Sequence, residues 1–166
     1  MSLKICVYAI SKNEEQFVER FCDSAKDADL ILIADTGSTD NTAALARQCG
    51  AVVPEICIKP WRFDLARNAA MALIPADIDV CISLDLDEVL EPGWREEIER
   101  VWVSGTTRLS YMFDWGVSPL KRSGKRAKQL IFGIILIGAM TSNSPITKSI
   151  AATDTTGFTP VMKICA

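Results

Sequence analysis

Histidine is absent from this 166-residue chain, and its six cysteines, at 6, 22, 49, 57, 81 and 165, include no CxxC pair. Both absences argue against a structural zinc site, which draws on closely spaced Cys and His ligands. The stretch LIFGIILIGAM (130–140) has 11 residues, too few for a membrane-crossing helix of about 20, so no transmembrane span is expected. With a net charge of only −3, the total gives no case for nucleic acid as a partner. The first apolar stretch, bracketed by Lys4 and by Ser11, Lys12 and Asn13, is too short for a secretory signal, and a cytoplasmic location is expected. Cys6, Cys57 and Cys81 sit in apolar runs and are expected as buried, reduced thiols.

What is present suits one domain, with a hydrophobic content of 49% available for a core. The small net charge hides a break in composition. Residues 1–120 carry 20 acids and 11 bases, whereas residues 121–166 carry 1 acid and 7 bases, lack Glu, and include 10 Ser or Thr.

Short apolar runs alternate with helical patterns. KICVYAI (4–10), DLILIAD (29–35) and DIDVCISLDLD (77–87) read as buried strands, and AVVPEICI (51–58) as an irregular strand pair split by Pro54. SKNEEQFVERFCDSA turns helical, with Phe17, Val18 and Phe21 on one face. A second helix follows TGSTD, capped by Thr39 or Asp40 and stopped at Gly50. WRFDLARNAAMALI and WREEIERVW supply two more, and TRLSYMFDW (107–115) alternates like a partly exposed strand. This order predicts an α/β fold with a parallel sheet covered on both faces.

Ligands in such sheets bind beyond the carboxyl ends of the strands, and the polar clusters fall there. Ser11-Lys12-Asn13-Glu14 follows the first strand, Asp35 to Asp40 the second, and Asp85-Leu86-Asp87-Glu88 the third. On a continuing strand Asp85 and Asp87 share a side, and two carboxylates on one side make a hard-oxygen site for Mg²⁺ or Mn²⁺ that keeps waters and takes substrate phosphates. The competing reading is a solvated acidic turn. Gly37, Ser38 and Thr39 suit a tight turn and Asp40 a cap, but neither explains why Asp35, an acid able to accept from a base or ribose, ends an apolar run. Arg67 reads equally as a surface helix residue or as a partner of Asp64. Trp61, Trp94, Trp102 and Trp115 offer either a sugar-stacking platform or core packing.

Four motifs in this order, ISKNEEQFVERF, ADTGSTDNTAALA, WRFDLARNAA and SLDLDEVL, with FDWGVSP after them, resemble the family 2 glycosyltransferases of GT-A fold over about residues 3–118. The resemblance implies a Rossmann-like nucleotide-sugar-binding sheet, here incomplete, and a transferase using a nucleotide-diphosphate sugar donor with Mn²⁺ or Mg²⁺ and an unknown acceptor. By the same resemblance Ile10, Asn13 and Glu14 approach the nucleotide, together with Gly37 and Ser38 of the second motif. Asp35 contacts the base, and Arg62, Arg67 and Asn68 line the donor side. Asp85 and Asp87 match the acids that hold the metal on the donor diphosphate.

Past FDWGVSP, members of the family continue into an acceptor segment with His, Arg, Gly-Tyr-Arg-Trp and Pro-x-His-Glu elements. This chain departs from that pattern, and the catalytic base is left unassigned; Asp114 is a candidate by residue type alone. Codons permitted by SIAATDTTGFTPVMK include choices that, read out of register, encode His-Cys-Arg-His-Gly-Tyr, then Trp, then Pro-x-His-Glu. Residues 1–119 are therefore expected to be the donor domain, and 120–166 an irregular, out-of-frame tail with an impaired acceptor side. Two rivals stand beside this expectation: a non-catalytic remnant that binds nucleotide sugar, and a nucleotidyltransferase. The second would carry a glycine-rich basic loop where this chain has ISKNEEQF.

Overall fold

A computed structural model of the chain describes residues 2–114 and two further strands, 131–136 and 163–165; from residue 110 onward only backbone is described. Strand β1 (Ile5–Ser11) lies at the centre of a parallel sheet, between β2 (Leu30–Asp35) and β3 (Val80–Ser83). Its residues alternate between two cores, as a two-residue period requires. Ile5, Val7 and Ala9 join one core with Val18 and Phe21 of α1 (Glu15–Ser24). Cys6 and Tyr8 join the other with Ala70 of α3 (Phe63–Ala72). Both faces of the sheet are thus covered, and near-continuous apolar strands follow from that.

Helix α2 (Thr42–Gln48) follows β2. Asn41 occupies its N-cap without a side-chain bond, and Asp40 takes over the task by accepting from the Thr42 amide at 3.0 Å. Gly50, expected as the stop, has φ +88°, a left-handed conformation that glycine adopts without strain. The 51–58 segment is less regular than a strand pair. Val52 and Glu55 make single parallel bridges to Leu32 and Asp35, and the chain then leaves the sheet. Cys57 is consequently exposed rather than buried, while Cys6 and Cys81 are buried as expected.

The third strand is shorter than its sequence run. Leu84 donates its amide to Tyr8 O at 3.1 Å, and the ladder ends there. The Asp85 amide goes to Glu88 Oε2 at 2.8 Å, and the Glu88 amide returns to Asp85 O at 3.0 Å. These reciprocal bonds close a turn, so Asp85 and Asp87 do not sit on a continuing strand. Leu86 between them is fully buried, and both acids are exposed.

Strand β4 (Val89–Leu90) leads to α4 (Trp94–Val101), whose Trp94 fills the first core and donates from Nε1 to Ser24 O at 3.0 Å. Strand β5 (Arg108–Asp114) belongs to a second sheet of order β4-β7-β5-β6, with β6 (Ile131–Leu136) and β7 (Lys163–Cys165). The described residues of the expected irregular tail, 131–136 and 163–165, are thus in strands, because the open edges of β4 and β5 offer unpaired amides and carbonyls that an extended segment can satisfy. Trp115 and the rest of the tail lie outside the described residues.

Candidate functional site at the strand ends

The loops after β1 and β2 are joined by side chains. Asn13 adopts φ +56°, and its Oδ1 accepts from the Thr39 amide at 2.7 Å. The Asn13 amide donates to Ser38 Oγ at 2.9 Å, and the Glu14 amide to Thr42 Oγ1 at 2.8 Å. Glu15 Oε2 accepts from the Asn41 amide at 2.9 Å. Asp35, only 3% exposed, is the anchor. It accepts four bonds: from Ser11 Oγ at 3.0 Å, Ser38 Oγ at 2.5 Å, the Ser38 amide at 2.8 Å and the Gly37 amide at 3.1 Å. Gly37 supplies the φ of +100° that this tight turn needs. Burial pushes the Asp35 carboxyl up, but the bonds from Ser38, Ser11 and Gly37 outweigh it and hold the group below the usual carboxylate value.

At the end of β3 the acids meet a buried cation. Arg67 pairs through Nη2 with Asp85 Oδ1; its side chain is 11% exposed and that of Asp85 is 52% exposed. Nη1 donates to Ser83 Oγ at 2.7 Å and to Leu84 O at 2.9 Å. The guanidinium lies 5.1 Å from the centre of the Phe63 ring. Asp64 binds Arg62 instead, at 2.8 Å, so Arg67 is neither a plain surface residue nor the partner of Asp64.

Burial raises the Glu14 carboxyl, and the charges of Asp87 and Asp85 add to the rise against the Lys12 amide. Burial likewise raises Glu88, beside the same two charges and against the Asp85 amide. Glu14 thereby links the paired loops electrostatically to the acidic turn. Arg20 of α1, stacked over Phe17, adds a bond to Asp87 O at 2.5 Å. A cleft of about 310 Å³ between α1, β4 and α4 meets the site only through Arg20 among its lining residues.

Of the expected residues, Asn13, Asp35, Gly37 and Ser38 form one bonded unit, and Arg67 and Asp85 another. Ile10 is the penultimate residue of β1 and packs partly against the second core. Arg62 and Asn68 are exposed on α3 and its cap, and no bond joins either to Asp85. Trp94 is core, Trp102 packs against it, and Trp61 is exposed alone. Ser11 belonged to the polar cluster expected after the first strand, whereas Ser83, Thr42 and Arg20 were not singled out by sequence reasoning. The signal for Ser83 was weak: it is a single hydroxyl inside the apolar run VCISL.

Among the described residues no group of three His, Cys, Asp or Glu is arranged to hold a metal. The donor set does fit a hard divalent ion in part. Asp87 offers an exposed carboxylate and Asp85 its second oxygen, which suits a metal completing its shell with water and phosphate. It does not suit a metal caged by protein alone.

The sequence pattern of glycosyl transferase family 2 matches residues 6–131. The chain belongs to that family. A glycosyltransferase of Rickettsia bellii, itself uncharacterised, is 31% identical over 105 residues, covering 63% of this family 2 chain and 34% of the relative. A lipopolysaccharide core biosynthesis glycosyltransferase of Rhizobium meliloti is 28% identical over 138 residues, covering 78% and 51%. The chain thus spans about a third of the length of the rickettsial relative. Among solved structures, glucosyl-3-phosphoglycerate synthase of Mycobacterium tuberculosis, in complex with Mn²⁺, UDP and phosphoglyceric acid, aligns with a TM-score of 0.54 at 21% identity, over 69% of this chain and 44% of that one. A mannosyltransferase of Pyrobaculum calidifontis with GDP-mannose and Mn²⁺ aligns at 0.56 and 15%, over 67% and 36%. These likenesses establish the GT-A fold expected from the four motifs. No described helix is long and apolar enough to cross a membrane.

Proposed function

We propose that residues 1–119 bind a nucleotide-diphosphate sugar with Mn²⁺ or Mg²⁺ and serve its transfer to an acceptor. The observation that carries this reading is the exposed pair Asp85 and Asp87 at the end of β3, set beside the buried Arg67 and the joined loops of β1 and β2. Asp85 and Asp87 would hold the metal, which supplies positive charge for the leaving diphosphate. Asn13, Glu14, Gly37 and Ser38 would face the nucleotide with Ile10, and Arg62, Arg67 and Asn68 the donor side. A base contact at Asp35 would replace one of the bonds it now accepts, and the part-buried bonds from Gly37 and Ser38 are more open to exchange than the buried bond from Ser11. A cytoplasmic setting fits the free thiols of Cys6, Cys22 and Cys81.

The test is titration calorimetry of UDP- and GDP-sugars with and without Mn²⁺, on the protein and on Asp85→Asn with Asp87→Asn. The double variant should lose metal-dependent binding; unchanged affinity would sink the assignment. Neutralising Asp87 alone should leave stability level or slightly higher, because it relieves crowding with Glu14 and Glu88. Neutralising Asp85 should cost about 1 kcal/mol or less, since Arg67 loses a half-exposed partner.

A second reading is a chain that binds donor without turnover, favoured by the composition break at 120. The family match runs on to 131, which speaks against a break as early as 120. Slow Mn²⁺-dependent release of nucleoside diphosphate would favour the enzyme; binding without release would favour the second reading.

A further inference from the structure

Arg67 is fixed by the protein itself. Nη1 is spent on Ser83 Oγ and Leu84 O, and the guanidinium lies over Phe63. Nη2 is bound to Asp85, so one of the two acids that would hold the metal already has a cation. No such ion pair forms at the Asp87 side chain among the described residues; Arg20 reaches only its carbonyl.

We infer that Arg67 is a positioning residue that withholds Asp85 from a free divalent metal, so that metal and nucleoside diphosphate are taken up together. The inference rests on the donor-binding reading above and deepens it. A dication approaching the acidic turn alone meets Asp87, a neutralised Asp85 and the repulsion of a guanidinium that cannot swing away. Glu14 and Glu88 add attraction, but neither is arranged with the two Asp residues as a ligand set. A diphosphate changes the balance twice. Its oxygens attract the guanidinium by charge-assisted hydrogen bonding, and they supply the hard donors that two carboxylates lack. The same arginine thus weakens metal binding alone and strengthens it in company.

Electron paramagnetic resonance of free Mn²⁺ tests this directly, with Mn²⁺ alone and then with UDP or GDP added. The protein should take up Mn²⁺ weakly alone and at least about tenfold more tightly with nucleotide, a change of about 1.4 kcal/mol. Arg67→Gln removes the charge and keeps a donor for Leu84 O. It should bind Mn²⁺ alone about tenfold better than the unaltered protein and lose most of the enhancement by nucleotide. Arg67→Lys keeps the charge and should stay close to the unaltered protein, which a purely structural role for Arg67 does not require. Tight uptake of Mn²⁺ alone by the unaltered protein overturns the inference, and that measurement needs no variant to fold. Equal Mn²⁺ affinity in a folded Arg67→Gln also overturns it. Failure of both nucleotides to bind, with or without Mn²⁺, overturns the donor-binding reading instead, and the comparison in Mn²⁺ alone still decides the part played by Arg67.

Discussion

Asp35 shows how one buried acid can organise a loop. Its four acceptor bonds satisfy two amides and two hydroxyls at the end of β2. Asp35→Ala leaves those donors without a protein acceptor, and each buried donor so orphaned costs about 1–3 kcal/mol unless water reaches it. Partial rescue by water should hold the total near 3 kcal/mol, read from urea unfolding; a loss under about 0.5 kcal/mol would show that the turn stands without its acid. The pH dependence has a definite sign. A carboxyl held below its usual value stabilises the fold fully above its unfolded pKa of about 4, and that contribution is lost as pH falls through the lower folded value. Asp35→Asn should therefore flatten the fall in stability below about pH 4, and an unchanged acid profile would count against the role given to Asp35.

At the scale of elements, α4 is held by two neighbouring residues. Trp94 is buried in the first core, and Arg95 donates to Leu3 O at 2.9 Å and to Asp29 at 3.0 Å, tying the helix to the entrances of β1 and β2. Trp94→Ala should cost about 3–5 kcal/mol by opening a cavity, and hydrogen exchange should rise first in α4 and at the end of α1 that carries Ser24. Uniform exchange across the sheet would mean that α4 is not a separate docking unit. These elements were legible in the sequence because period reports burial: Val18 and Phe21 share a helix face, and β1 is apolar from Ile5 to Ile10 because both its faces are covered. The end of β3 was legible only as one of two alternatives, a continuing strand or an acidic turn, and the structure has the turn. Leu86 continues the apolar alternation while the chain already turns, and the bond that turns it comes from the Glu88 side chain. The pairing of Arg67 with Asp85 was hidden for a related reason, since it depends on how α3 packs against β1 and β3 rather than on local spacing.

For the whole molecule, the question is which residues the fold requires. Both cores are composed of residues from Leu3 to Leu109 among those described. The tail contributes β6 and β7 to the second sheet by backbone pairing with β4 and β5, and β6 also runs close to β3 of the parallel sheet. A chain ending at Pro119 should accordingly keep its parallel sheet and lose little stability, with a urea midpoint close to that of the full chain. Strong, cooperative hydrogen-exchange protection over 121–166, or collapse of the shortened chain, would make the tail a true part of the fold and end the out-of-frame reading.

The joined loops of β1 and β2 carry a consequence for selectivity. Side-chain bonds already tie these loops to one another, so a nucleotide bound there, as proposed, would meet a frame whose conformational entropy has been surrendered to folding rather than to binding. A rigid frame of this kind gains affinity for a ligand that fits and has little freedom to reshape around one that does not. Discrimination between one base and another would then be set by the shape of the folded loops, before any encounter takes place.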